Sequence, residues 1–212
     1  MTKKVKRHSL PVIITHWLIA ISSFLLLFTG FGQMPLYRRY MLTEVPGFAW
    51  ADQYFITISM HYIGAILLIV AIFFHIVYHV MRNEYAAFPK KGDLKESIAI
   101  IKAMVGRGIE PPSDKFLAEQ RVAYLYMGIV ILGLVITGII KTIQNLSAIS
   151  MPYQLALVAT TIHNIFTILL VFGLIAHLAA FAFKANRPLL ESMFTGKVKE
   201  KYAKERHVKW NI

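Results

Sequence analysis

The sequence predicts an all-α integral membrane protein built as a four-helix bundle. Of its 212 residues, 57% are hydrophobic and 13% are aromatic, which is more apolar than an ordinary soluble domain. The apolar residues fall in four long runs rather than in the short segments of a soluble core. Each run approaches or exceeds the roughly 20 residues that a helix needs to cross a bilayer.

The four spans follow one another in a single membrane domain that covers residues 1–212. The first run follows a basic segment, as in a signal peptide, but it is too long and no small-residue cleavage site follows it. We therefore interpret it as a retained helix. Residues 82–121 form a long loop, and residues 185–212 form a basic tail. The spans are expected at about 11–31, 54–81, 122–140 and 152–184.

The basic residues predict the orientation of the spans. Of the 23 lysines and arginines, 20 lie in the N-terminal segment, the 82–121 loop and the tail, counting Lys184 at the end of the last span with the tail. The other two loops hold only Arg38, Arg39 and Lys141. Positive charge is retained on the cytoplasmic side of membranes, so both termini are expected in the cytoplasm. Topology thus accounts for the net charge of +12, and no nucleic-acid partner is expected.

A short helix is expected inside the long loop, in the stretch GDLKESIAIIKAMVGRG. Asp93 is predicted to cap its start with Glu96 as the capping-box partner, and Gly106 ends it. An apolar face indicates that this helix lies in the membrane interface, with a partner-docking element as the alternative. The apolar face consists of Leu94, Ile98, Ile101 and Val105.

The chain contains no cysteine. A disulfide scaffold, an iron–sulfur cluster held by this chain and a thioether-attached haem are therefore excluded, because each requires thiols. Any haem must be non-covalent and b-type, and any iron–sulfur relay must belong to a partner.

Five of the eight histidines lie within the apolar spans, where polar side chains are rare and usually functional. In spans two and four the two histidines are 14 residues apart. They leave the helix on nearly the same face, about 21 Å apart along its axis. Because neutral imidazole is a good iron ligand, two levels of histidine predict two stacked haems. The outer level holds His61 and His163, and the inner level holds His16, His75 and His177.

The outer pair is unambiguous, whereas the inner pair is not. His177 can pair with His16 or with His75, and the matching 14-residue spacing mildly favours His75. Of the remaining histidines, His8 and His207 are expected to be solvated, and His79 is expected at the membrane interface.

Six segments of the chain resemble a known family. They lie along nearly the whole chain, in a four-span layout. The tail segment and the 14-residue spacing of the histidines are the most specific features of the resemblance. The chain resembles the cytochrome b (gamma) subunit of membrane-bound formate dehydrogenase, within a group that includes nickel–iron hydrogenase and thiosulfate reductase cytochromes b. The segments are THWL, MHYIG, AEQR, TIHNIF, LIAHLAAFAF and GKVKEKYAKERHVKW.

The resemblance implies a ligand set for two b-type haems. It implies that His16 and His177 hold the inner haem and that His61 and His163 hold the outer one. His75 is then an extra histidine. It also implies a quinone pocket beside the inner haem, around Gln120. This chain departs from the family pattern there, since Leu117 and Glu119 stand where the pattern has asparagine and glycine.

The resemblance further implies partners and a location. An iron–sulfur subunit and a molybdenum or tungsten catalytic subunit would supply electrons, and menaquinone or ubiquinone would accept them, in the bacterial inner membrane. No residue of this chain is expected to act on formate. The equivalent subunit of a hydrogenase or thiosulfate reductase is an alternative. A non-redox anchor or transporter is another, although its polar groups would be continuous across the membrane.

Overall fold

Four long helices dominate the computed structural model, which describes residues 3–146 and 150–212. They are α1 (Leu10–Gly32), α3 (Tyr54–Arg82), α5 (Ala118–Asn145) and α6 (Tyr153–Ala179). All four are long and apolar enough to cross a membrane, with mean hydropathies of 2.1 to 2.5. The expected all-α class and four membrane-length helices are confirmed.

The other elements are short. Two strands, β1 and β2, form an antiparallel pair, and 3₁₀ turns occupy Leu42–Glu44, Ala180–Ala182 and Lys184–Asn186. The strands are β1 (Lys4–Lys6) and β2 (Lys197–Lys199), and the short helices are α2 (Leu36–Arg39), α4 (Asp93–Met104), α7 (Arg187–Thr195) and α8 (Glu200–Arg206).

The third long helix begins one turn before its apolar run. Its first turn is polar, with Glu119, Gln120 and Arg121, so hydropathy alone does not reveal it. The Gln120 side chain accepts a hydrogen bond from the Leu117 backbone N–H at 3.2 Å, which caps this end of α5.

The chain divides into two compact units, Leu10–Asn83 and Met1–Ser9 with Glu84–Ile212. In the first, α1 packs on α3; in the second, α5 packs on α6. Small residues permit this packing, as is usual for helices in lipid. A Cβ on Gly64 would lie 3.2 Å from Leu26, and one on Gly173 would lie 2.8 Å from the Tyr126 ring. Both glycines therefore serve close helix packing.

The two ends of the chain are fastened together. Val5 pairs with Val198 at the centre of the β1–β2 ladder, and the Arg7 N–H donates to the Gly196 carbonyl at 2.8 Å. The basic tail is therefore folded, with α8 and β2 contributing buried Ala203 and Val198. We call this region the terminal cap; it comprises residues 3–9, α4, residues 110–117, α7, and residues 197–210 with β2 and α8.

The helix in the long loop is anchored to α5 by a buried ion pair. Arg121 Nε donates to Asp93 Oδ2 at 2.7 Å, and Arg121 Nη2 donates to Oδ1 at 2.5 Å. The two side chains are only 5% and 4% exposed. The predicted capping role of Asp93 is wrong: Gly92 is the N-cap, and the Asp93 carboxylate turns to Arg121 and to the Lys90 N–H.

Replacing Asp93 with Asn should destabilise this unit, because it leaves the Arg121 charge buried and unpaired. Loss of one partner from a buried pair typically costs about 3–5 kcal/mol. The hydrogen bonds from Arg121 lower the pKa of Asp93. The stabilisation is therefore present at neutral pH and is lost as the pH falls below the ordinary carboxyl value.

The measurement is the thermal unfolding midpoint of the detergent-solubilised protein. Glu205→Gln is the control, because its partner Lys201 lies 3.8 Å away at an exposed surface and such pairs contribute little. Equal small shifts for both variants would show that the buried pair does not hold α4 to α5.

Candidate functional site

The five membrane histidines lie on three of the long helices. His16 is on α1, His61 and His75 are on α3, and His163 and His177 are on α6. One compact unit thus carries the first three and the other carries the last two. The two outer histidines expected to share one haem come from different units.

A threonine of the neighbouring helix holds the His61 ring. His61 Nδ1 lies 2.9 Å from Thr29 Oγ1, and Thr29 Oγ1 also lies 2.7 Å from the Leu25 carbonyl oxygen, one turn back. A carbonyl only accepts, so the hydroxyl proton points to Leu25 and Thr29 Oγ1 accepts from Nδ1–H. This fixes the tautomer, in which Nε2 carries the lone pair that can ligate iron.

The same arrangement recurs in the other unit. His163 Nδ1 lies 2.8 Å from Thr137 Oγ1, which donates to the Gly133 carbonyl at 2.7 Å. In both units a glycine follows the threonine. A Cβ on Gly30 would lie 3.5 Å from His61 Cε1, and one on Gly138 would lie 3.6 Å from His163 Cε1. Each outer imidazole therefore rests on a threonine–glycine pair of the helix beside it.

The spans of the sequence contain a signal for these partners. A Thr-Gly pair occurs at residues 29–30, toward the end of the first span, and again at residues 137–138 in the third. Helix periodicity alone predicts that the acceptor for each outer ring lies one turn back on its own helix, at Thr57 for His61 and at Ala159 for His163. That prediction is wrong, because the partners are Thr29 and Thr137. Thr57 instead donates to the Gln53 carbonyl of its own helix at 3.1 Å.

The inner histidines sit among aromatic rings. The His16 ring is edge-on to Trp17 at 5.7 Å, and the His177 ring is edge-on to Phe181 at 6.0 Å. The ring of His75 lies 4.5 Å from that of His79, one turn further along α3.

Polar groups gather where α5 begins. Gln120 Oε1 accepts from the Leu117 N–H and from Arg7 Nη2, the latter at 3.3 Å. Leu117 is fully buried. Both carboxylate oxygens of Glu119 are buried and have no hydrogen-bond partner in residues 3–146 and 150–212. An unpaired buried carboxylate is costly, so this turn is a candidate functional region.

The prediction for His207 is wrong. It is fully buried, with Nδ1 2.7 Å from the Asp114 carbonyl oxygen. Burial and the nearby Arg7 cation lower its pKa to about 4. His8 is half-buried, and its ring lies 6.0 Å from that of Phe116.

Comparison with known proteins adds a family. The family model described as prokaryotic cytochrome b561 matches residues 7–196. The cytochrome b556 subunit of formate dehydrogenase from Haemophilus influenzae is 24% identical over 214 residues, covering 98% of this chain and 82% of the relative. The cytochrome b556(Fdn) subunit of the nitrate-inducible formate dehydrogenase from Escherichia coli K12 is 25% identical over 197 residues, covering 92% of this chain and 84% of the relative.

The residues described above fit the b-type haem that a cytochrome b family implies. In each outer imidazole Nδ1–H donates to a threonine hydroxyl, so Nε2 is the nitrogen with the lone pair that an iron ligand needs. Each also lies against a glycine, which leaves the ring edge uncrowded. The lack of cysteine agrees with non-covalent haem.

Thr29→Val and Thr137→Val should each lower haem retention, because the outer imidazole loses its Nδ1–H acceptor. Loss of such a supporting partner typically costs about 10–100-fold in metal affinity. The measurement is the rate of haem transfer from the purified protein to apomyoglobin. Thr→Ser at either position keeps the hydroxyl and should keep wild-type retention.

Thr57→Val is the matched control for packing, because Thr57 is fully buried and, among the described residues, its hydroxyl donates to the Gln53 and Tyr54 carbonyls at the start of its own helix. If Thr57→Val releases haem as fast as Thr29→Val, the hydroxyl–imidazole contact does not support the ligand.

Proposed function

The chain belongs to the prokaryotic cytochrome b561 family, and we propose that it is the two-haem membrane subunit of a respiratory formate dehydrogenase. The observation that carries this proposal is the repeated threonine–histidine contact in the two units. In both units the contact engages Nδ1–H and leaves Nε2 as the ligand nitrogen, which suits the two imidazoles as axial ligands of one haem. The two formate dehydrogenase relatives, each matched over more than four-fifths of its length, support the choice of enzyme.

In this proposal, His61 and His163 hold the outer haem, and His16 and His177 hold the inner one. His177 lies seven residues before Lys184, so it is roughly 10 Å from the cytoplasmic end of its span. His16 lies six residues into α1, behind the basic N-terminal segment. The positions of His16 and His177 along their own helices thus predict similar depths in the membrane. His75 lies at a similar level and remains the competing ligand.

Electrons would enter from an iron–sulfur subunit outside the membrane, which receives them from a molybdenum or tungsten subunit that oxidises formate. When bound, the haems supply one-electron transfer across the bilayer to menaquinone or ubiquinone. Gln120 would bind the quinone, and Glu119 would hold a proton near it. Quinone reduction requires protons, and buried unpaired Glu119 at the start of α5 is suited to provide one.

The terminal cap would face the cytoplasm, because it contains most of the basic residues. The apolar face of α4 supports a place in the inner-membrane interface. Leu94 is 71% exposed and Ile98 is 56% exposed, whereas Ile100 on the opposite face is fully buried. The exposed side chains would contact lipid, with Lys95 and Lys102 near the head groups.

His163→Ala should remove one of two haems, because it removes an axial ligand of the outer haem only. The measurement is the haem-to-protein ratio together with the reduced-minus-oxidised spectrum in the b-type α band. His79→Ala is the control and should keep both haems. A wild-type protein without b-type bands would favour a non-redox anchor or transporter, and two haems in His163→Ala would refute the outer assignment.

His16→Ala and His75→Ala form a matched pair for the inner haem. On our assignment, His16→Ala loses that haem and quinone reduction together, because the iron loses a ligand. His75→Ala should keep the haem and at most slow quinone turnover. Haem content and dithionite-reduced spectra measure the loss of haem in each variant, and the rate of quinone reduction measures turnover. The opposite pattern would mean that α3 and α6 provide all four ligands.

A further inference from the structure

We propose that Arg7 and His207, from the two ends of the chain, are positioning residues that orient the Gln120 amide toward quinone. The inference rests on the proposed function, because it assigns Gln120 to the quinone site. It extends that function by giving the terminal cap a role in substrate binding. All the contacts that carry it lie within one compact unit.

Arg7 is a buried cation held largely by neutral groups. It is only 3% exposed, and no carboxylate in the described residues forms an ion pair with it. Its guanidinium lies 5.1 Å from the Phe116 ring centroid and 5.8 Å from that of Trp210. Cation–π contacts of this kind partly offset the loss of water. A buried charge without an acid is costly, so a purpose beyond packing is expected.

The donors around Gln120 settle which way its amide faces. An arginine has only N–H donors, and the Leu117 backbone group that contacts the side chain is also an N–H. Both point at one atom, which must therefore be the amide oxygen, at 3.3 Å and 3.2 Å. The Nε2 group is thereby directed away from Arg7 as a donor. A quinone carbonyl oxygen is an acceptor, so the amide is set to bind it.

His207 holds Arg7 from the other side. Its Nδ1 faces the Asp114 carbonyl, which can only accept, so Nδ1 carries the proton. Nε2 is then a lone pair that accepts from Arg7 Nη1 at 3.5 Å. The histidine must be neutral for this contact. Burial and the adjacent Arg7 cation lower the pKa of His207 to about 4, which keeps it neutral at cytoplasmic pH.

The backbone keeps both residues in place. The Arg7 N–H donates to the Gly196 carbonyl at 2.8 Å, directly after the β1–β2 ladder. The Lys209 N–H donates to the Ser113 carbonyl at 3.0 Å, and the Trp210 N–H donates to the His207 carbonyl at 2.8 Å. The N-terminal end is thus tied to the tail at Gly196, and the tail is tied at Ser113 to the segment that leads into α5. The order of contacts runs from Asp114 through His207 and Arg7 to Gln120.

The test measures quinone-driven oxidation of the reduced haems in membranes containing the whole complex, with decylubiquinone as the probe. Arg7→Met and His207→Leu should each raise the KM for decylubiquinone about threefold to tenfold, the usual effect of one hydrogen bond. Haem content and kcat should change little. His207→Gln can still donate to Asp114 and accept from Arg7, so it should keep the wild-type KM.

Lys4→Met is the control from the strand just before Arg7, because in the part of the chain that the structure describes the Lys4 ammonium pairs with the surface carboxylate of Glu191. A double variant with Gln120→Leu separates orientation from packing: if Arg7 acts through the amide, Arg7→Met adds no further rise in KM to Gln120→Leu. An unchanged KM in both Arg7→Met and His207→Leu, or an equal rise in His207→Gln and His207→Leu, would overturn the proposal. Wild-type haems that decylubiquinone fails to oxidise would instead reject the proposed quinone reduction itself.

Discussion

The hydrogen bond from a histidine Nδ1–H to a threonine hydroxyl is the interaction on which the outer site depends. A neutral imidazole offers iron one of two nitrogens, and the protein must decide which. The hydroxyls of Thr29 and Thr137 donate their protons to carbonyl oxygens of their own helices. Each hydroxyl oxygen therefore accepts a hydrogen bond from the ring Nδ1–H, which leaves Nε2 as the nitrogen with the lone pair. In lipid, no water competes for these bonds, so a single hydroxyl can set both the tautomer and the orientation of the ring.

The molecule separates its apolar and polar chemistry. The long helices bury small residues such as Ser22, Thr29 and Ala159 against their neighbours and present large apolar side chains outward. The terminal cap holds the buried charges of Arg7 and Asp93, and Arg121 in the first turn of α5 pairs with Asp93. Electron carriers need a dry surrounding, whereas proton uptake needs titratable groups near water. The start of α5 is where the two regions meet, and Glu119 and Gln120 lie there.

Much of this architecture could be predicted from the sequence, because membrane spans and their histidines are signals within one helix. The four long helices and the exposed apolar face of α4 follow from hydropathy and periodicity. The partners of the outer histidines could not be placed that way, because each threonine lies on a different helix, 32 and 26 residues away. A prediction from the same helix, one turn back, therefore names Thr57, whose hydroxyl instead donates to the Gln53 carbonyl.

The terminal cap was the least predictable part. Its strands have only three residues each, and they pair positions nearly 200 residues apart. A pattern within a short stretch of sequence therefore does not predict them. The hydrophilic surroundings of His207 in the sequence predict a solvated side chain, and His207 is instead fully buried. The prediction that Asp93 caps α4 fails for the same reason, since its partner Arg121 lies 28 residues further on. Pairing with residues distant in the sequence therefore determines the burial of His207 and the hydrogen bonds of Asp93.

Low-temperature electron paramagnetic resonance of the oxidised, purified protein tests the central claim most directly. Iron held by two imidazoles is low-spin in the ferric state, and each haem contributes its own signal. Two haems with bis-histidine ligation should give two low-spin ferric components per chain, quantified against protein. One component only, or a predominantly high-spin ferric signal, would contradict two haems each held by a pair of histidines.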